Sequence, residues 1–270
     1  MKMPNNLVVV RGGGDLATGV VHRLKRSGFD IIILEIEQPT VIRRTVAYAD
    51  ALYHGMTKVE EFTAVKVKSV EEAFICLQTG TIPVLVDPNA KTLPKLSPHI
   101  VVDAILAKKN LGTHKAMAPI VIGLGPGFEA GIDVHGVIET NRGHNLGRVF
   151  FEGSAEPDTG VPGVIGGYDY QRILRAPTHG IIRNVKEICT QVRAGEVIAY
   201  VEDLPVISSL DGVLRGLITD GLTVTKNLKI GDVDPRCKME YCYSISDKAR
   251  ALGGGVLEAI LYLQRKEGFS

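Results

Sequence analysis

The chain has 270 residues, 45% of them hydrophobic, which suffices for one large α/β domain or two smaller ones with a proper core. Lysine and arginine number 31 against 30 aspartates and glutamates, a net charge of +1, so no overall field recruits nucleic acid or an anionic membrane. No charged-apolar-small leader opens the sequence, and no apolar run reaches the roughly 18 residues of a bilayer span, so the expected location is cytoplasmic, without nucleic-acid or membrane partners.

Residues 7–11, Leu-Val-Val-Val-Arg, read as a buried strand running straight into Gly12, Gly13 and Gly14 and then a helix over 15–27. Taken as G-x-G-x-x-A, Gly12 permits the tight turn, Gly14 lets backbone approach a pyrophosphate, and Ala17 lets the helix pack close to the strand. Asp15 and Thr18 fall in the first helical turn, where unpaired N–H groups and the helix dipole favour an anion. The next strand, 30–36, carries Glu35, 21 residues beyond Gly14, where an acid that bonds a ribose hydroxyl belongs. Gly12, Gly13, Gly14, Asp15, Ala17 and Thr18 are thus candidate phosphate ligands, and Glu35 a candidate ribose ligand. The plainer alternative is a strand-turn-helix whose glycines serve packing alone. A carboxylate at 35 favours a free 2′-hydroxyl, while Arg43 and Arg44 just downstream leave a 2′-phosphate open.

A helix over 41–49, a strand over 62–67, a helix over 69–78 and strands over 83–86 and 99–103 follow. Strands alternating with helices imply a parallel sheet covered on both faces, with ligands beyond the carboxyl ends of its strands. Gly12 to Asp15, Glu35 to Pro39, Asp87 to Asn89 and Asp103 all fall at such ends and can converge on one crevice.

The strand over 119–124 runs into Gly125-Pro126-Gly127, where proline removes a donor that a phosphate turn would want. The stretch that follows, 128–149, concentrates Asp133, His135, Glu139, Thr140, Asn141, Arg142 and His144 between glycines. Such poor core material is either an exposed loop or a binding surface. Residues 153–172, rich in Gly and Pro, read as a connection.

Beyond it lies an internal repeat. Gly180 with Val192 and Gly212 with Val224 share a gap of 12 residues, the copies being offset by 32. Two halves of four short strands each are expected, a pattern similar to the barrel-sandwich hybrid of biotinyl and lipoyl carriers. The stretch joining the halves, Glu202 to Ser209, contains no lysine, so a swinging-arm carrier is excluded and the domain is expected to dock or scaffold. In the tail, Ser246 reads as a helix N-cap. Gly253, Gly254 and Gly255 mark a break or a close backbone approach, a helix beginning at Gly255 being the simpler reading.

The expected fold class is therefore α/β: a Rossmann-like parallel sheet, a smaller all-β barrel-sandwich-hybrid-like domain, and a C-terminal helix. Its bounds are 1–152 for the Rossmann-like domain, 153–172 for the linker, 173–236 for the repeat domain and 237–270 for the helical tail. Cys76, Cys189, Cys237 and Cys242 are too few and scattered for a disulfide framework and read as reduced. Neither they nor the seven histidines show familiar metal-ligand spacing, so no metal site is expected. The chain has no tryptophan.

Five segments together carry a family resemblance: Arg11-Gly-Gly-Gly-Asp-Leu-Ala-Thr-Gly19, Glu37-Gln-Pro-Thr-Val-Ile-Arg-Arg-Thr45, Val137-Ile-Glu-Thr-Asn-Arg-Gly-His144, Gly231-Asp-Val-Asp-Pro-Arg236 and Gly253-Gly-Gly-Val-Leu-Glu-Ala259. With these the chain resembles the YqeB-type accessory proteins of selenium-dependent molybdenum hydroxylases, and more distantly the XdhC/CoxI-type maturation factors. The resemblance implies a role in equipping an apo molybdenum hydroxylase with its cofactor, by holding a molybdopterin-type cofactor while selenium is introduced or the cofactor is delivered. Arg142 and His144 are weaker candidates around that cofactor. Two other readings stay open. One is an NAD(P)-like dinucleotide bound by an NAD-dependent oxidoreductase with His135 or His144 as acid/base; the other is a dinucleotide-sensing scaffold.

Overall fold

The apolar run Leu7–Arg11 forms β1, buried at every position in the middle of a nine-stranded sheet. The structure, a computed structural model, describes residues 6–266. Along the chain this unit comprises β1, α1 (Asp15–Arg26), β2 (Asp30–Glu35), α2 (Ala51–His54), β3 (Met56–Val59), β4 (Phe62–Val67) and α3 (Val70–Gln78). It continues through β5 (Ile82–Val86), α4 (Leu93–Leu96), β6 (Ile100–Asp103), β7 (Ile120–Leu124), β8 (Gly136–Ile138) and β9 (Val149–Phe150), and takes back the last helix, α5 (Asp247–Lys266). The strand order is β3-β4-β5-β2-β1-β6-β7-β8-β9.

Period-2 alternation divides the apolar strands between two faces. Leu7, Val9, Ile32, Leu34, Val101 and Val121 pack with Val70 and Ala73 of α3. Val8, Val10, Ile31, Ile33, Ile100 and Val102 are equally buried and turn the other way. Helix α1 offers the matching stripe, with Ala17, Val20, Val21 and Leu24 all fully buried at helical spacing.

This is not the Rossmann-like parallel sheet expected above. The sheet is mixed: β3 runs antiparallel to β4 and β9 antiparallel to β8. The connection from β5 to β6 holds only the four-residue α4, and that from β6 to β7 only a single 3-10 turn at Lys115–Met117. The β3–β4 edge forms because the two-residue turn Glu60-Glu61 joins the strands directly, and so short a loop permits only antiparallel pairing. Glu60 holds φ at 52° there without the Asn or Gly that signals such a turn in sequence.

The expected helix over 41–49 is replaced by 3-10 turns at Arg44–Val46 and Tyr48–Asp50. Residues 40–46 belong to a second unit with 160–244. Leu217 N–H donates to Ile42 O at 2.9 Å, and Arg44 Nε donates to Leu217 O at 2.7 Å, so the segment lies against a strand instead of closing helical bonds.

The second unit holds β10 (Ile173–Arg175), β11 (Gly180–Asn184), β12 (Gln191–Val192), β13 (Val197–Val201), β14 (Leu204–Ile207), β15 (Gly212–Leu217), β16 (Thr223–Val224) and β17 (Lys229–Asp234). They form two antiparallel four-stranded sheets, β10-β17-β15-β12 and β14-β13-β11-β16, in place of the expected barrel-sandwich-hybrid-like domain. The repeat is a pairing device: Gly180 of one copy sits opposite Val224 of the other, and Val192 opposite Gly212. Asp232 and Asp234 on β17 are buried and pair with Arg172 and Arg215.

Helix α5 is unbroken through its three glycines, so the helix beginning at Gly255 is also corrected. Close approach is the reason for two of them. A Cβ on Gly253 would lie 2.6 Å from Gly19 O of α1, and one on Gly255 would lie 2.3 Å from Gly147 O, whereas one on Gly254 meets nothing. Among the described residues no helix is long and apolar enough to cross a membrane. The glycine contacts set opposite signs for neighbouring substitutions. Gly254→Ala should raise stability by about 1 kcal/mol through helix propensity, and Gly253→Val should lower it by about 1–3 kcal/mol through overpacking. Urea unfolding followed by circular dichroism measures both, and equal effects at the two positions would contradict the α1–α5 contact.

Candidate functional site

Strand β1 lies between β2 and β6, and the chain passes from β2 and β5 on one side to β6 and β7 on the other. In open α/β sheets a crevice forms outside the carboxyl ends of the strands at such a reversal. A cavity of about 510 Å³ occupies that place here, lined among others by Arg11, Gly12, Glu35, Asp87, Asn89 and Asn110. Its volume is within the range of small-molecule sites.

Arg11 builds its wall. The side chain is 3% exposed, and its guanidinium donates to Asp103 Oδ2 at 3.3 Å and to Thr113 Oγ1, with Pro88 O and Leu111 O at 3.2 and 3.4 Å on its other nitrogen. Arg11 and Asp103 are register partners on adjacent parallel strands, which is why the pair forms at the strand ends. Thr113 Oγ1 donates to the same Asp103 oxygen at 2.5 Å. Asn110 then fixes the loop through two bonds to the Thr113 backbone. Asp87 is likewise committed, its carboxylate accepting from the N–H groups of Lys91 and Thr92 and from the Thr92 hydroxyl.

Of the candidate phosphate and ribose ligands, Gly12 and Glu35 meet at this cavity, joined by Asp87, Pro88 and Asn89 from the strand ends expected to converge there. Gly12 holds φ at +93°, and a Cβ there would lie 2.9 Å from Ala104 O, so glycine is required by packing. Gly13 N–H donates to Glu35 Oε2 at 2.8 Å, and Gly13 O accepts from Ala49 N–H at 2.9 Å. The other Glu35 oxygen accepts from Ile36 N–H, also at 2.8 Å. Burial pushes the Glu35 carboxyl up from its ordinary value, outweighing these two N–H bonds.

The remaining candidates lie away from the lining. Gly14 caps α1 without a side-chain bond, and the first intrahelical bond runs from Thr18 N–H to Gly14 O. Asp15 opens the helix, and Ala17 is buried in the core. Thr18 is buried, its hydroxyl oxygen accepting from Tyr48 N–H at 3.0 Å. Arg142 makes a bidentate pair with Asp247 at 2.7 and 3.1 Å, and His144 is exposed. In the same stretch Glu139 is buried and accepts from the N–H groups of Asn141 and Glu156, so it serves the shape of its own loop.

Sequence reasoning passed over Arg11, Asn110 and Thr113 as functional residues. The available signal was Arg11 itself, a charge closing a strand that is otherwise apolar. It also passed over His22, Glu60 and Glu61, which form, among the described residues, a group with metal-ligand spacing. His22 Nε2 lies 3.1 Å from Glu60 and 2.9 Å from Glu61. Arg250 and Arg26 already answer the two carboxylates, and hydrogen bonding from His22 brings the Glu61 carboxyl down to about 2.

No family model matches the chain. Among solved structures it is similar to a succinylglutamate desuccinylase/aspartoacylase from Rhodobacter sphaeroides, at 16% identity with 84% of each chain covered and a TM-score of 0.25. An aspartoacylase family protein from Mesorhizobium loti is similar at 8% identity, with the same coverage and TM-score. In sequence, 262 residues, 97% of the chain, are 51% identical to the uncharacterized protein YqeB of Escherichia coli (strain K12). The chain spans about half the length of that relative, 48%, so the likeness to YqeB covers nearly all of this chain and one part of the other.

Proposed function

We propose that the chain holds a phosphorylated pterin, of the molybdopterin type, in the end-of-strand cavity, and acts as an accessory protein in maturing a selenium-dependent molybdenum hydroxylase, whose apo form is its partner. The observation that carries this reading is Glu35 on the wall of a cavity of about 510 Å³. Each of its oxygens accepts one backbone N–H and keeps lone pairs for a ligand. A carboxylate so placed suits the paired amino and ring N–H donors on the pyrimidinone edge of a pterin; it also suits a ribose diol. The motif resemblance favours the pterin. Arg11, spent on Asp103 and Thr113, leaves the anionic end of the ligand to the 105–112 loop, of which Asn110, Leu111 and Gly112 line the cavity.

Native mass spectrometry of the chain purified from a host that makes the cofactor tests this directly. A molybdopterin adduct is expected, with retention reduced about tenfold or more, roughly 1.4 kcal/mol, by Asn89→Trp, an exposed lining residue whose indole would fill the cavity. A nicotinamide dinucleotide adduct with hydride turnover would instead mark an oxidoreductase. No adduct of either kind would remove the ligand reading.

Glu35 also gives a pH signature without any ligand. Because its native carboxyl sits above the ordinary value, the folded chain binds this proton more tightly than the unfolded one. That stability is complete below the unfolded pKa and is lost as pH rises through the native one. The advantage of the unaltered chain over Glu35→Gln in denaturant unfolding should therefore be largest in acid and shrink on raising the pH. A difference that stays flat or grows would place Glu35 in a wetter setting than its burial indicates.

A further inference from the structure

Two of the four cysteines, 53 residues apart in sequence, come together in the second unit. Cys189 lies between β11 and β12, and Cys242 ends the 3-10 turn Met239–Cys242. Each reaches the other's anchor. Cys189 N–H donates to Leu214 O at 2.7 Å, and the Cys242 thiol points at that same carbonyl at 3.9 Å. In return the Cys189 thiol points at Met239 O, the first residue of the turn that carries Cys242, at 3.8 Å. Cys189 lies close enough to Cys242 to add to the burial that pushes the Cys242 thiol up.

The partners differ in access. Cys242 is fully buried, while Cys189 is half-exposed. Cys189 also holds φ at +78°, a left-handed conformation that a side-chain-bearing residue adopts only where its surroundings over-determine it. Here the N–H bond to Leu214 O holds it, and the thiol lies against Met239 O of the turn that carries Cys242. Arg43 and Arg215 lie close enough to favour the Cys242 thiolate, against a burial that pushes this thiol up to about 11. A reachable thiol with a second thiol close behind it is the arrangement of an attacking and a resolving cysteine. Neither residue has a part in the end-of-strand cavity.

We propose that Cys189 and Cys242 form a reactive dithiol that takes up oxidising equivalents from a small disulfide. The Cys189 thiolate attacks one sulfur of the external disulfide, making a mixed disulfide and releasing one thiolate, which takes up the proton Cys189 gave. Cys242 then gives up its proton and attacks the Cys189 sulfur, closing the Cys189–Cys242 bond and expelling the second external thiolate, which takes up that proton. The two cysteines are oxidised, and one small disulfide is reduced to two thiols.

Bis(2-hydroxyethyl) disulfide is a suitable probe on the full, reduced chain, with unreduced peptide mapping by mass spectrometry as the readout. The unaltered chain should yield a Cys189–Cys242 cross-linked peptide and a loss of two hydrogens. Cys242→Ser should lose the cross-link and accumulate the mixed disulfide on Cys189. Exposed Cys237, whose thiol meets the Pro235 carbonyl, should stop at the mixed disulfide and serves as an internal control. Because the main readout is on the unaltered chain, a variant that fails to fold does not blunt the test. A mixed disulfide that persists on Cys189 in the unaltered chain overturns the proposal. So does a chain in which Cys237 reacts while Cys189 and Cys242 stay reduced, or a cross-link joining either of them to Cys237.

Discussion

A single buried guanidinium at the carboxyl end of the central strand organises the first unit. Removing a charge from water is costly unless its donors are answered, and Arg11 presents its donors in a rigid planar fork. Four groups answer it from three places: Asp103 at the end of β6, Pro88 after β5, and Leu111 and Thr113 in the loop before β7. Removing one side of such a pair leaves an uncompensated buried charge at about 3–5 kcal/mol. Connections that would otherwise be free to move are thereby held around one cavity. The sheet supplies the address, and the arginine fixes the walls.

The glycine bend beside it is held with similar completeness. Gly12 is closed over by the Ala104 backbone, Gly13 by Ala49, and the Gly13 amide is taken by Glu35. Glycine is needed at these positions because backbone from three segments meets there, a requirement that leaves the same sequence trace as a phosphate cradle. Glu35 therefore joins two links of the argument. It supports the bend that ends β1, and its spare lone pairs face the cavity. A group that does both is preorganised, since the bonds that orient it exist before any ligand arrives.

The same distinction explains what could be read from sequence. The strand-turn-helix at the start, the convergence of strand ends and the position of Glu35 are local or periodic signals, and all were legible in residues 7–36 and 83–103. Arg11, Asn110 and Thr113 were not. Their importance lies in contacts across 92 to 102 residues of chain or within an irregular loop, and neither leaves a period to count. The edge strand β3 was missed because its turn, Glu60-Glu61, lacks the usual turn residues, and its absence made a mixed sheet read as a parallel one. Residues 41–49 were read as helix because the strand partner of their first part, at Gly216 and Leu217, is about 170 positions away, a separation that local propensity cannot address. The glycine-to-valine repeat was visible because it is a spacing, whereas the assembly of its strands into two sheets is not one.

A cavity built in this way imposes an order on recognition. With Arg11 committed to protein acceptors and three of the Asp87 lone pairs committed to its own turn, Glu35, with one bond on each oxygen, has the most to offer a ligand that donates. Under the proposed reading, selectivity therefore rests on the hydrogen-bonding edge of the ring, where a missing donor would leave the remaining lone pairs of the half-buried Glu35 carboxylate without a partner. Under the same reading the phosphate end would meet the neutral lining groups Asn110, Leu111 and Gly112 and the rim, where solvent competes, and would add less. Under the proposed reading that asymmetry would suit release of the cargo: a few directional bonds would hold the ring end, and the charged end would stay open to a partner with cationic donors.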